Sequence, residues 1–270
     1  MSKTYSAILG GLVRALSAPM PRWSRIATRA RLAEAVMPRV TVATPAGPVT
    51  FYTPGKEAIY FPRHAYKREP ETLEWIDGFG PDEVFWDVGA SLGPYSIYAG
   101  KRGVRTVALE PNPFSFHCLV RNIAENRISD RVAAYCLGLA EKDGRERFFM
   151  PSFEAGTSGS SLKEAGLSRL GFARPDIAVD ALAFRAERLV DDLGFPAPNH
   201  VKIDVDSIEK QIIEGALPLL SRSEVKSLLI EIAPDDREIP ALLAKAGLEE
   251  WRRGQTRADT DVNVIFRRPG

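Results

Sequence analysis

Cysteine and histidine are both scarce in this chain. Two cysteines, Cys118 and Cys136, stand among 270 residues. They lack the C-x-x-C spacing of a zinc or redox site and are too few for a disulfide scaffold, so a reducing cytosol is expected rather than export. The three histidines, His64, His117 and His200, are scattered and form no ligand cluster, so no metal is expected. Long apolar runs are missing as well. The stretch from Ala7 to Leu16 is interrupted by Gly10, Gly11 and Arg14, too short to span a bilayer, and no signal-peptide cleavage pattern follows it. A net charge of +1 implies no general nucleic-acid binder. What remains, 44% hydrophobic and 26% charged residues, describes an ordinary globular protein long enough for one large domain or a domain with an extension.

One stretch organises the rest. Val84-Phe85-Trp86-Asp87-Val88 is an apolar, aromatic-rich run ending at Gly89-Ala90-Ser91-Leu92-Gly93, after which Tyr95, Ile97 and Tyr98 recur at helical spacing. That is a strand, a tight turn and a helix start. Glycine there permits positive φ and lets a ligand approach the backbone, with helix amides aimed at it. Thr106 to Leu109 is a second short strand, and Glu110-Pro111-Asn112 follows it; an acid at the end of the second strand of a doubly wound sheet hydrogen-bonds ribose hydroxyls. A dinucleotide site would need G-x-G-x-x-G, and the third glycine is absent. The turn reads Asp87-x-Gly89-x-x-x-Gly93. A carboxylate there repels pyrophosphate and suits a cationic, zwitterionic ligand, so the turn resembles the D-x-G-A-x-x-G motif of S-adenosylmethionine-dependent methyltransferases of the Rossmann-like class.

Around that centre the chain divides in two, at about residue 80. Residues 1 to 40 carry Lys3, Arg14, Arg22, Arg25, Arg29, Arg31 and Arg39 against only Glu34. This basic segment reads as a solvated or partner-facing helical extension in preference to a membrane-surface helix. Val40 to Tyr60 reads as a small strand pair, and a helix carrying Leu73, Ile76 and Phe79 on one face leads into the first strand. Arg68, Glu71 or Thr72 at its start could touch the amino-acid end of a cofactor, or merely cap the helix. Residues 81 to 270 are expected to form the main domain. Val132 to Ala140 is read as the third strand, with Leu137-Gly138 where an adenine would lie, and Ser152 to Ser161 as a loop able to close over ligands. Val201 to Asp206 is a buried strand whose alternation puts Asp204 and Asp206 on one face. The segments 248–252 and 262–267 are joined too closely for a crossover helix and must pair antiparallel.

Phe85 to Tyr98, Leu109 to Pro113, Gly159 to Leu162, Arg188 to Leu193 and Val201 to Ala216 together resemble the FkbM-type family of S-adenosylmethionine-dependent methyltransferases, in that family's order. The resemblance implies an α/β fold: a Rossmann-like class I methyltransferase sheet, mostly parallel with a closing antiparallel hairpin, carrying an N-terminal helical and β extension. It implies methyl transfer from S-adenosyl-L-methionine to a hydroxyl of a sugar, glycoside or secondary metabolite. Thr72, Asp87, Gly89, Ala90, Ser91, Gly93, Tyr95, Glu110, Pro111, Asn112, Leu137, Gly138 and Asp204 are the expected cofactor contacts, and Asp204 and Asp206 the expected catalytic carboxylates, with His64 a weaker base. The family usually continues after its aspartate with x-E-G or x-Q-G, whereas this chain has Val205-Asp206-Ser207. A non-catalytic binding module that keeps the fold stays open as an alternative, and an NAD-dependent oxidoreductase stands behind it.

Overall fold

The structure is a computed structural model that describes residues 2–162, 177–206, 208–254 and 261–269. It divides into two compact units, Met1–Arg39 and Val40–Gly270. In the first, α1 (Ser2–Ser17) and α2 (Arg22–Ala35) are joined by a short turn. Arg29 Nε donates to Ser17 Oγ at 2.8 Å and Arg29 Nη2 to the Arg14 carbonyl at 3.2 Å. Among the described residues no helix is long and apolar enough to cross a membrane.

The second unit begins with β1 (Arg39–Thr44) and β2 (Gly47–Tyr52), a two-stranded sheet, then α3 (Lys56–Arg68) and α4 (Pro70–Asp77). The larger sheet is built from β3 (Val84–Val88), β4 (Arg105–Leu109), β5 (Val132–Tyr135), β9 (His200–Ile203), β10 (Ser227–Ile232), β11 (Glu249–Arg253) and β12 (Val262–Arg267), in the order β11-β12-β10-β9-β3-β4-β5. The five strands from β10 to β5 run parallel, and β12 is antiparallel to both β10 and β11. The connecting helices are α5 (Pro94–Lys101), α6 (Pro113–Glu125), α7 (Ala186–Asp191), α8 (Glu209–Leu220) and α9 (Glu238–Lys245).

Central strands buried on both faces are apolar along most of their length, and alternation sends their side chains into two cores. Val84, Trp86, Val88, Leu228, Ile230, Val264 and Phe266 pack with Ile212, Ile213 and Leu243 on one face. Phe85, Ala108, Leu229 and Ile265 pack with Ile97, Tyr98, Leu119 and Ile123 on the other. The second core also holds Val49, Phe51, Tyr66, Trp75 and Ile76, so the compact body begins at Val40 and not at residue 81. The free backbone of β2 is satisfied by amide side chains at the end of α6 and just after it: Asn122 Oδ1 accepts from Tyr52 N at 2.7 Å, and Asn126 Oδ1 from Thr50 N at 3.0 Å. Unpaired buried amides are strongly disfavoured, and these two asparagines fix the hairpin to the sheet unit.

The expected third strand is two strands. β5 stays in the main sheet, while β6 (Gly138–Leu139) leaves it to join β7 (Gly144–Met150) and β8 (Ile177–Phe184) in a three-stranded sheet of order β6-β8-β7. The helix carrying Leu73 and Ile76 is α4, opened by Pro70 after Glu69, and a further helix, α3, precedes it from Lys56, so the strand pair ends at Tyr52 and not at Tyr60. The closing hairpin is antiparallel as expected.

Candidate active site

A cleft of ≈ 970 Å³, open solvent at its mouth included, runs along the carboxyl ends of β3, β4 and β9. In an open doubly wound sheet ligands bind outside the carboxyl ends of the strands, where the connections diverge. Gly89, Ala90 and Ser91 form its floor, and they are shaped by close packing. Gly89 has φ +81°, and a Cβ on it would lie 2.0 Å from the carbonyl oxygen of Asp204. Only glycine fits there. Gly89 N and Ala90 N donate to the Leu109 carbonyl at 2.9 and 3.1 Å. Ser91 sits at φ 50°, an uncommon conformation for a side-chain-bearing residue, and its amide donates to Glu110 Oε2 at 2.7 Å.

Glu110 faces the cleft. Its other oxygen accepts from Asn112 N at 2.7 Å. Burial pushes its carboxyl up to about 7, against the two amide hydrogen bonds that favour the anion, with the charges of Asp87 and Asp206 adding to the rise. Asn112 caps α6, its Oδ1 accepting from Phe114 N and Ser115 N. Asp87 is buried, and its Oδ2 accepts from Ser96 N at 3.0 Å and Ser96 Oγ at 2.5 Å. The acid inside the strand end thus ties down the first turn of α5 as well as lining the cleft.

The facing wall comes from residues 156–162 and from the segment after β9. β9 ends at Ile203, so Asp204 and Asp206 lie beyond it and strand alternation does not place them; separate contacts do. Asp204 N donates to the Val88 carbonyl at 3.0 Å, and its carboxylate is hydrogen-bonded and ion-paired to Lys202 Nζ. Asp206 Oδ2 accepts from Gly159 N at 2.6 Å. Burial raises the Asp206 carboxyl above its ordinary range and the Asp204 charge adds to that, against hydrogen bonds from the Gly159 and Ser160 amides. The loop is pinned elsewhere too. Phe149 and Ser161 exchange backbone hydrogen bonds, Gly156 N donates to Ser115 Oγ, and Glu154 Oε1 accepts from Glu57 N at 2.9 Å.

Of the expected contacts, Asp87, Gly89, Ala90, Ser91, Tyr95, Glu110, Pro111, Asn112, Gly138, Asp204 and Asp206 all line the cleft. Three do not. Thr72 is fully buried and donates to Glu69 Oε2 at 3.2 Å. Gly93, at φ +82°, is the residue before α5 and packs on Leu119. Leu137 packs against the core beneath β5, leaving Gly138 to face the cleft. Two further suggestions also fall away from it: Arg68 Nη2 donates to the Tyr60 hydroxyl, and the His64 ring packs on Tyr60 with centroids 4.1 Å apart.

Sequence reasoning missed the cation of the site. Lys202 is 1% exposed and its Nζ sits 4.7 Å from the centroid of the Tyr95 ring. Burial alone would pull its ammonium down. The carboxylates of Asp204, Glu69 and Asp87 outweigh that and hold it above the usual lysine range. Glu69 is itself raised by burial, with Lys202 and hydrogen bonds from Tyr95 and Asn263 opposing. Glu231 follows the Ile230–Ile203 pairing and stands opposite Asn263 in register. Burial first, then Asp204, pushes it to about 8. The β9 lysine was visible in the sequence, but only the position of Glu69, far away in the chain, shows that it points into a polar pocket.

Among the described residues the cleft thus carries Asp87, Glu110, Asp204 and Asp206 against the single cation Lys202. Such a lining disfavours pyrophosphate and suits a cationic nucleoside. The sheet order, the antiparallel closing strand and this cleft define a Rossmann-like α/β protein of the nucleoside-dependent transferase type. The family model "Methyltransferase FkbM domain" matches residues 87–249, more than half of the chain. The chain belongs to that family, and S-adenosyl-L-methionine is its cofactor.

Similar proteins include the hexuronic acid methyltransferase AglP of Haloferax volcanii, 26% identical over 62% of this chain and 64% of its own length. The 31-O-demethyl-FK506 methyltransferase FkbM of Streptomyces tacrolimicus is 26% identical over 50% of this chain and 60% of its own. A tRNA (guanine(37)-N(1))-methyltransferase of Coprinopsis cinerea is 44% identical, over 26% of this chain and 14% of its own length. The chain spans less than two thirds of each of these relatives. A crystal structure of a methyltransferase FkbM from Methylobacillus flagellatus aligns with TM-score 0.49 and 18% identity, over 70% of this chain and 44% of its own.

Proposed function

We propose that the protein is an O-methyltransferase acting on a hydroxyl of a sugar, glycoside or other small metabolite in the cytoplasm. The observation that carries this reading is the lining of the cleft, where Glu110 stands at the end of β4 and Asp204 and Asp206 face it across the glycine turn. The hexuronic acid and FK506 relatives support a hydroxylated acceptor. The tRNA methyltransferase, matched over 14% of its length, does not argue for a nucleic-acid substrate.

When bound, S-adenosylmethionine supplies a methyl group on a positively charged sulfur. In this reading Glu110 accepts hydrogen bonds from ribose hydroxyls, Gly138 leaves room for the adenine, and Gly89 to Ser91 lie against the methionine part. Asp204, held by Lys202, presents fixed negative charge beside the methyl group, so the positive charge is matched without solvent. Asp206, whose carboxyl burial has raised, takes the acceptor's hydroxyl proton. A base whose pKa lies nearer the working pH is the more effective one. Alignment of acceptor, methyl and leaving group provides much of the rate.

Thermal melting with S-adenosylhomocysteine is the first test. A rise in Tm that NAD does not reproduce is expected; stabilisation by NAD alone overturns the reading. Methyl incorporation into a panel of hydroxylated sugars and glycosides then separates an enzyme from a binding module. Asp204→Asn serves as the control.

A further inference from the structure

Large apolar side chains exposed to solvent are concentrated in the first 36 residues. Tyr5, Ile8, Leu9, Leu12 and Leu16 are each more than half exposed, as are Trp23 and Val36. On α1 the first five recur at i, i+3, i+4, i+7 and i+11, a single stripe roughly 100° wide on a helix of 3.6 residues per turn. α2 does not cover that stripe: the hairpin is tied through Ser17 and the Arg14 carbonyl, and Ser17, at i+12 from Tyr5, lies to one side of it. Along α2, Trp23 and Ile26 are exposed beside Arg22 and Arg25. Through residue 40 the cations are Lys3, Arg14, Arg22, Arg25, Arg29, Arg31 and Arg39, and Glu34 is the only acid.

The charge decides between occupants for this face. A second copy of the chain would set the same cations against themselves, which like-charge repulsion opposes. A surface of anionic phosphates satisfies both the arginines and, just beneath the headgroups, the apolar stripe. Tryptophan and tyrosine are the side chains enriched at that boundary. At about 1.5 Å per residue α1 is roughly 24 Å long, short of the ~30 Å needed to cross, so it lies in the plane of the surface. We propose that the α1–α2 hairpin docks this protein on an anionic lipid bilayer, the α1 stripe entering the interface and the arginines of α2 meeting lipid phosphates. The proposal is independent of the methyl-transfer reading, and the hydrophobic residues it uses lie outside the sheet unit.

Flotation of the full chain with vesicles tests it. Binding is expected to phosphatidylcholine vesicles containing phosphatidylglycerol, about tenfold or more weaker to phosphatidylcholine alone, and to fall as salt rises. The pair Leu9→Asp/Leu12→Asp and the pair Arg22→Glu/Arg25→Glu should each reduce binding by about tenfold or more, while Tm and its response to S-adenosylhomocysteine stay at wild-type values, showing the sheet unit intact. A blue shift of tryptophan emission on adding anionic vesicles should be lost in Trp23→Phe. Equal binding to neutral vesicles, absence of binding, or flotation of the Leu9→Asp/Leu12→Asp protein overturns the proposal. So does a wild-type dimer that this variant dissociates, which makes the stripe a protein interface instead.

Discussion

The two flanks of the cleft are built in opposite ways. On the β3–β4 flank, the glycine turn and Glu110 lie within a short length of chain, and every donor is a backbone amide: Gly89 and Ala90 donate to the Leu109 carbonyl, Ser91 and Asn112 to the Glu110 carboxylate. On the β9–β10 flank, Lys202, Asp204, Glu69, Glu231 and Asn263 come from four distant segments and interact through side chains. The first flank is rigid because its geometry is written into neighbouring residues. The second depends on balanced charge, since a buried ammonium persists only among carboxylates.

Substitutions can sharpen that contrast, the severest on the backbone flank. Gly89→Ala introduces a Cβ at 2.0 Å from a carbonyl oxygen at φ +81°. We expect loss of S-adenosylhomocysteine binding by calorimetry and a destabilisation of roughly 3 kcal/mol or more in urea. A variant that still binds at wild-type affinity would mean the turn is more pliable than described.

Lys202→Met on the other flank leaves Asp204, Glu69 and Asp87 without their cation. Breaking a buried pair in this way destabilises by about 3–5 kcal/mol. Adding Asp204→Asn should restore part of that stability, because the two sites share one network; strictly additive effects would show that the charges are not coupled.

Asp206→Asn should leave S-adenosylhomocysteine affinity near wild type and lower kcat by roughly 10²–10⁴-fold. An equal loss in binding and turnover would instead assign Asp206 to holding the loop through Gly159.

The mildest effect is one of pH. Glu110 has its carboxyl pushed up to about 7, and in the proposed function the ribose needs the anion as acceptor. Affinity for S-adenosylhomocysteine should therefore rise with pH up to about 7 and level off above it, falling by up to tenfold per pH unit below. Stability of the unliganded protein runs the other way. The folded state holds this proton more tightly than the unfolded chain, so the contribution is present at low pH and lost as pH rises from the ordinary glutamate range through about 7. Glu110→Gln should bind more weakly and flatten the affinity profile.

The same contrast explains what the sequence made legible. That Asp87, Gly89 and Glu110 stand in the cleft could be read because they follow one another along one βαβ unit, and the closing antiparallel pair because its connection is too short for a helix. Lys202 could not, since nothing local to β9 says that Glu69 and Glu231 converge on it. Thr72 was misread for the same reason: a polar residue at a helix start looks available, yet tertiary packing buries it against Glu69. Asp204 and Asp206 were placed in the cleft for the wrong reason, the strand ending before them. The division near residue 80 failed because Asn122 and Asn126, seventy or more residues downstream, are what hold β2 to the sheet unit.

Glu154 reaches across 97 residues to cap the first turn of α3, whose own preceding residue, Gly55, offers no side chain for the purpose. The 152–162 loop and a supporting helix are therefore joined by one hydrogen bond. Displacing that loop would also release the start of α3, which carries Phe61 into the lining of the cleft, so the wall and its support should loosen together.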